Sequence, residues 1–200
     1  MNEQTARDDK KQKSKSDARR LPKKATASRL HNVALYYLER YAASAESLRR
    51  VLLRRVAKSA YHHDTDPAEG AGFVEDIITR FKGSGLLDDN IYAEGQVKSL
   101  YRQGKSLRAI RGKLREKGVD ADIIEAQMDA VCGEFQNPDL IAAIKHARRR
   151  RFGPYRTPDT REDRRQRDMA SMARAGFDYQ TAQMVIDAES VDDLDDMERS

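Results

Sequence analysis

Residues 104–120 read GKSLRAIRGKLREKGVD. Ser106 stands where a helix N-cap belongs, and Gly118 stands where that helix should stop. Between them Leu107, Ile110 and Leu114 recur at i, i+3 and i+7, the apolar stripe of an amphipathic helix. Arg108, Arg111 and Arg115 repeat that spacing one residue later, about 100° around the helix. One stripe can face a core while the other faces solvent or a partner. Gly104 ends the preceding helix and Asp120 caps the following one, so the stretch reads helix, turn, helix, turn, helix.

The same grammar extends in both directions. Shifted by 62 positions, Leu35 meets Val97, Leu38 meets Leu100, Arg40 meets Arg102, Ser44 meets Ser106, Leu48 meets Ile110, Arg49 meets Arg111 and Leu52 meets Leu114. Shifted by 58, Gly118-Val119-Asp120 meets Gly176-Phe177-Asp178, Leu114 meets Met172 and Met128 meets Ile186. Caps and core positions coincide, which is the signature of tandem structural units. The pattern predicts nine helices in three units, 28–86, 87–134 and 137–190, with Tyr61–Gly72 as a polar stretch in the first. No sustained period-two alternation occurs, so the fold class is all-α: three tandem three-helix units forming an elongated array that can curve, each meeting its neighbours through limited surface.

Both ends read as tails. Residues 1–27 contain Leu21 as their only aliphatic residue beyond alanine, and predict a disordered basic tail. Residues 191–200 read as an acidic C-terminal tail. The whole chain has 200 residues, 36% of them charged and 38% hydrophobic, with a net charge of +5. No apolar run approaches the roughly 18 residues of a spanning helix, and the N-terminus has no secretory h-region. A single cysteine, Cys132, fits a reducing cytoplasm and no disulfide.

Charge is unevenly spread. Residues 98–117 hold eight Lys/Arg against one acid, and 145–167 hold ten against three, whereas 187–200 hold one against seven. The basic blocks point to a polyanionic partner or an acidic protein surface. Candidate binding residues are Lys98, Arg102 and Lys105, then Arg108, Arg111 and Arg115, and Arg148, Arg149, Arg150 and Arg151. Arginine pairs with phosphate and carboxylate alike, so chemistry alone leaves DNA and acidic protein both open. Tyr101, Phe152 and Tyr155 lie beside these cations and could stack on unpaired bases. Tyr101 also falls on an apolar stripe, and Phe152 and Tyr155 also suit loop anchors.

No catalytic constellation emerges. Gly104-Lys105-Ser106 ends like a phosphate-binding loop, but Ser99 stands where the first glycine is required, and a basic helix replaces the strand. His62, His63, Asp64 and Asp66 lack metal-ligand spacing. Cys132 has no basic neighbour to lower its pKa and reads as a buried small hydrophobe. No cofactor, no metal and no enzymatic activity are expected.

Gly85-Leu86-Leu87-Asp88-Asp89 with Tyr92-Ala93 resembles the signature of the RecX family of bacterial recombination regulators. So do Gly104-Lys105-Ser106 with Ile110-Arg111, Leu114 and Lys117-Gly118-Val119, and the segment Arg148–Arg156. The resemblance spans about residues 30–190. The chain departs from the family at Tyr61–Pro67, where a short Gly-Phe type junction is common, and in its basic N-terminal extension. The resemblance implies a non-enzymatic, monomeric modulator that binds the RecA recombinase filament. Such a modulator suppresses ATP hydrolysis and strand exchange, in recombination, DNA repair and the SOS response. A stand-alone module binding single- or double-stranded DNA is the alternative.

Overall fold

The computed structural model describes residues 21–199. Most of the basic tail expected over 1–27 therefore lies outside the described residues. Within them the chain forms ten α-helices, one short 3₁₀ turn and no strand. Helices α1 (Ala27–Arg40), α2 (Ala45–His63) and α3 (Pro67–Gly83) pack together, as do α4 (Asp89–Arg102), α5 (Leu107–Glu116) and α6 (Ala121–Glu134). Helices α7 (Pro138–Arg150), α8 (Pro158–Arg174) and α9 (Tyr179–Asp187) follow, with the 3₁₀ turn Gly153–Tyr155 between α7 and α8.

Local chemistry sets most boundaries. The side chains of Ser44, Asp88, Ser106 and Asp178 each accept a backbone N–H of the first turn they cap. Helix α5 has only ten residues, too short to persist alone in water. Leu107, Ile110 and Leu114 are all buried, and each such side chain contributes about 1.5–3 kcal/mol through burial.

Two expectations about local structure are corrected. The polar stretch from Tyr61 is mostly helix: α2 runs to His63, and α3 begins at Pro67 behind an Asp66 cap. Gly70 faces Val56 so closely that a Cβ there would lie 2.5 Å from Val56 Cγ1, so a small residue lets α2 and α3 meet. At the other end, nine helices become ten. The acidic segment forms α10 (Val191–Arg199), because Leu194 is fully buried against the core. Ser190 and Asp193 cap its start reciprocally, Ser190 N–H donating to Asp193 and Asp193 N–H to Ser190 Oγ.

The buried apolar residues form two cores. One lies among α1, α2 and α3 and includes Leu87. The second is continuous from Tyr92 to Leu194, so the helices from α4 to α10 share one interior rather than meeting through limited surface.

A polar joint recurs between successive helix triplets. Ser44 Oγ donates to the Lys117 carbonyl at the end of α5 (2.5 Å), and the next N–H, that of Ala45, donates to Asp89 Oδ1 (2.8 Å). Sixty-two residues on, Ser106 Oγ donates to the Ala175 carbonyl at the end of α8 (2.8 Å), and Leu107 N–H donates to Asp139 Oδ1 (2.8 Å). Each serine thus caps its own helix and ties it to the next triplet. The repeat in sequence is also a repeat of contacts.

Candidate functional site

The best-defined basic cluster lies at the second of these joints. The α4–α5 turn bends at Gly104, whose φ is +68°, and presses on α7: a Cβ there would lie 2.8 Å from the His146 backbone nitrogen and 3.0 Å from the Ala142 carbonyl. This contact brings Lys105 of one triplet beside α7 of the next. His146 is buried between the rings of Phe152 and Phe177, with centroids 6.0 and 5.6 Å away. Burial lowers its pKa, and the charges of Arg149, Arg150 and Lys105 lower it further. The Gly104 backbone opposes them weakly, its approach falling short of hydrogen-bond geometry, and neither ring nitrogen has a partner among the described residues. The joint therefore buries a histidine whose protonation is disfavoured, first by burial and then by neighbouring positive charge.

Arg108 is exposed on α5, its Cβ 3.6 Å from where a side chain on Gly176 would begin. It therefore borders the same joint. The remaining expected residues are distributed differently. Arg111 is only half-exposed and its single Nε–H is shared between both carboxylate oxygens of Glu125 on α6 (3.2 and 3.3 Å), with Arg115 farther out at 3.9 Å. The arginine stripe is thus partly neutralised by α6, which corrects the expectation of a uniformly exposed row. Lys98 pairs with Glu94 at 2.5 Å, and Arg102 Nε donates to the Lys98 carbonyl at 3.2 Å. Arg149, Arg150 and Arg151 are exposed, and Arg151 closes α7 in the left-handed region at φ 57°. Arg148 is engaged by α10, with Asp195 at 2.7 Å and Glu198 at 2.9 Å.

The aromatic residues are anchors. Tyr101 is buried, donates to the Pro138 carbonyl at 3.1 Å and lies 5.3 Å from Lys145 Nζ. Phe152 is buried and Tyr155 half-buried. The loop holding them is fixed by Arg156, which forks onto buried Asp168 at 2.6 and 2.7 Å. Gly104-Lys105-Ser106 is the inter-helix turn, with Ser106 committed to capping. His62 stacks edge-on with Tyr61, and His63 Nε2 meets the Pro22 carbonyl. Among the described residues no group of three or more potential metal ligands forms. Cys132 is exposed rather than buried, because α6 turns Met128 and Val131 inward and leaves position 132 on its outer side.

Two features escaped the sequence reading. Lys145 belongs to the α7 cluster, four residues before Arg149 on one helix face, a spacing that was available. The second is a basic face on α2, where Arg54, Arg55 and Lys58 are exposed with no carboxylate partner among the described residues, beside Tyr61 at 86% exposure.

At the first joint an open groove of about 900 Å³ separates α1 from the start of α4. Leu35, Tyr36, Tyr41, Leu86 and Ile91 line it and remain exposed. Among the described residues no helix is long and apolar enough to cross a membrane.

Comparison with known proteins connects this architecture to one family. The family model for the second three-helix domain of RecX matches residues 88–128. A regulatory protein RecX from Myxococcus xanthus is 42% identical over 177 residues, covering 88% of this chain and 94% of the relative. Another from Agrobacterium fabrum is 34% identical over 155 residues, 78% of this chain and 80% of the relative. A third, from Halorhodospira halophila, is 31% identical over 157 residues, 78% of this chain and 86% of the relative. No solved structure gives a significant match.

Proposed function

The chain belongs to the RecX family of regulatory proteins, and from that membership we propose that it binds the RecA recombinase filament and lowers its ATPase and strand-exchange activity. The reading makes it a cytoplasmic, monomeric, non-enzymatic regulator in recombination, DNA repair and the SOS response. The observation that carries the site assignment is the close approach of Gly104 to α7, which sets Lys105 of one triplet beside the helix of the next triplet that ends in exposed Arg149 and Arg150. These cations come from two helix triplets, so one partner surface can span the joint. Arg108, Arg148 and Arg151 extend the face, with Lys98, Arg102, Arg111 and Arg115 continuing it along α4 and α5. Lys98, Arg111, Arg115 and Arg148 already face carboxylates, so the gain from an anionic partner, in encounter rate as well as in specificity, falls mainly to exposed Arg108, Arg149, Arg150 and Arg151.

We further propose that residues 28–86, 87–134 and 137–190 act as three units of an elongated array. The repeated serine joint supports that division. A second reading, direct binding of single- or double-stranded DNA, is favoured by the unpaired cations of α2 beside exposed Tyr61.

The test is a titration of the cognate RecA filament with the purified chain, reading ATP hydrolysis and strand exchange. Saturable suppression at protein concentrations below those needed to coat naked DNA supports the filament reading. Suppression that simply tracks occupancy of naked DNA, with a steep salt dependence, supports the DNA reading.

A further inference from the structure

Helix α10 carries five acids and one arginine, Asp192, Asp193, Asp195, Asp196, Glu198 and Arg199, and it packs on α7, whose last turns carry Lys145, Arg148, Arg149 and Arg150. Its seat on α7 has two parts. Leu194 is fully buried in the shared core. Next to it, Asp195 and Glu198 both reach Arg148, at 2.7 and 2.9 Å, and Glu198 lies 3.8 Å from Lys145. The arrangement is that of a bound peptide: one apolar anchor, with carboxylates one and four residues later on two cations. Three residues, Ala188–Ser190, connect it to α9, so it binds as an intramolecular ligand at high effective concentration.

The ion pairs are half-exposed, with side-chain exposures of 46% for Arg148, 35% for Asp195 and 22% for Glu198. Pairs of that kind are weak and exchange readily for equivalent ones. Beside them Arg149, Arg150 and Arg151 are exposed. The α7 face is therefore divided into a part already occupied and a part open to a partner.

We infer that α10 is a resident competitor on the α7 basic face, and that an acidic amphipathic segment of a protein partner takes its place when the chain binds. The inference rests on the filament reading above and adds a regulatory element to the same site. Protein rather than nucleic acid is the occupant because the seat offers an apolar pocket for a leucine-sized side chain together with the cations. A phosphate backbone would use only the cations. Displacing α10 would release Arg148 and Lys145 to act with Arg149 and Arg150, so binding strength would depend on how firmly α10 is held.

The experiment uses the full chain carrying Asp195→Asn and Glu198→Gln, which removes the carboxylate charges and keeps Leu194. Hydrogen exchange of the 191–199 amides is measured in the free protein and with RecA filament added. Affinity is measured for the filament and for a naked single-stranded oligonucleotide at one salt concentration. The double variant should exchange several-fold faster in α10 and bind the filament roughly three- to tenfold more tightly, the scale of two or three half-exposed ion pairs. In the wild type, filament binding should strip α10 of its protection. Unchanged exchange, or filament affinity equal to or below wild type, overturns the competitor assignment. An equal gain on the naked oligonucleotide overturns the protein occupant in favour of nucleic acid. A wild-type chain that does not bind the filament overturns the functional reading instead, and the exchange arm still decides whether these carboxylates hold α10 in place.

Discussion

The two joints between helix triplets use the same polar connection and differ in everything around it. At both, a capping serine donates to the last turn of the second helix in the next triplet, and the following N–H donates to an aspartate at the start of its first helix. At the second joint Gly104 presses on the α7 backbone, Ile141 is buried, and one core runs through. At the first joint Ala42 stands in the place of Gly104, 62 residues earlier, and is exposed. Ile91, fifty residues before Ile141, is 67% exposed, and the groove stays open. Hydrogen bonds thus set the register of both joints, while apolar burial closes only one. The closed joint sets Lys105 beside the helix that ends in Arg149 and Arg150, so positions on two triplets are held in fixed relation.

The largest expected effect comes from removing the close approach. Gly104→Val combines a left-handed φ with a Cβ directed at backbone atoms that cannot move without separating α4 from α7. Urea unfolding should show a loss of about 3 kcal/mol or more. Ala42→Val at the open joint should stay within about 0.5 kcal/mol. Equal losses at the two positions would show that the joints are closed alike.

Next come the shared pins. Ser44→Ala and Ser106→Ala each remove a cap and a bond to the next triplet, and each should cost about 1–2 kcal/mol. The double variant should lose the sum within about 0.5 kcal/mol, as independent sites do. A clear departure from additivity would mean that the joints communicate.

The smallest effect is electrostatic. Burial raises the pKa of Asp139, with the charge of Asp178 adding to it and the Leu107 N–H opposing. The folded state therefore holds this proton more tightly than the unfolded chain does. The contribution of the group to stability is fullest below about pH 4, the ordinary aspartate range, and falls as pH rises toward the raised folded value. Asp139→Asn keeps the acceptor and removes the titration. Its stability relative to wild type should increase from pH 3 to pH 6 in matched urea melts. A flat difference would contradict the direction assigned to the burial.

The fold was legible because its information is local and repeated. Ser106, Gly118 and the stripe Leu107, Ile110, Leu114 define a helix with no reference to tertiary structure, and the 62-residue match predicts its counterpart. What was hidden depends on contacts distant in sequence. Helix α10 exists because Leu194 enters a core built by other helices, and the surrounding acids masked the Val191, Leu194, Met197 spacing. The continuous second core depends on α7 meeting α4, which periodicity cannot distinguish from burial within one triplet. Among the site residues, the exposure of Arg108 follows from helix phase. The pairing of Arg111 with Glu125 and of Arg148 with α10 required the positions of separate helices.

The closed-joint face is tested most directly by reversing its free cations. Arg108→Glu, Arg149→Glu and Arg150→Glu combined are compared with Arg54→Glu and Arg55→Glu on α2, reading inhibition of the RecA filament ATPase. All five positions are exposed, so each substitution should change stability by only about 0.5 kcal/mol or less. The account predicts that the triple variant needs at least about tenfold more protein for half-inhibition, because charge mismatch at an interface costs several kcal/mol. The α2 variant should inhibit nearly as well as wild type. A folded triple variant that inhibits at wild-type concentrations, or an α2 variant that loses more, would contradict it.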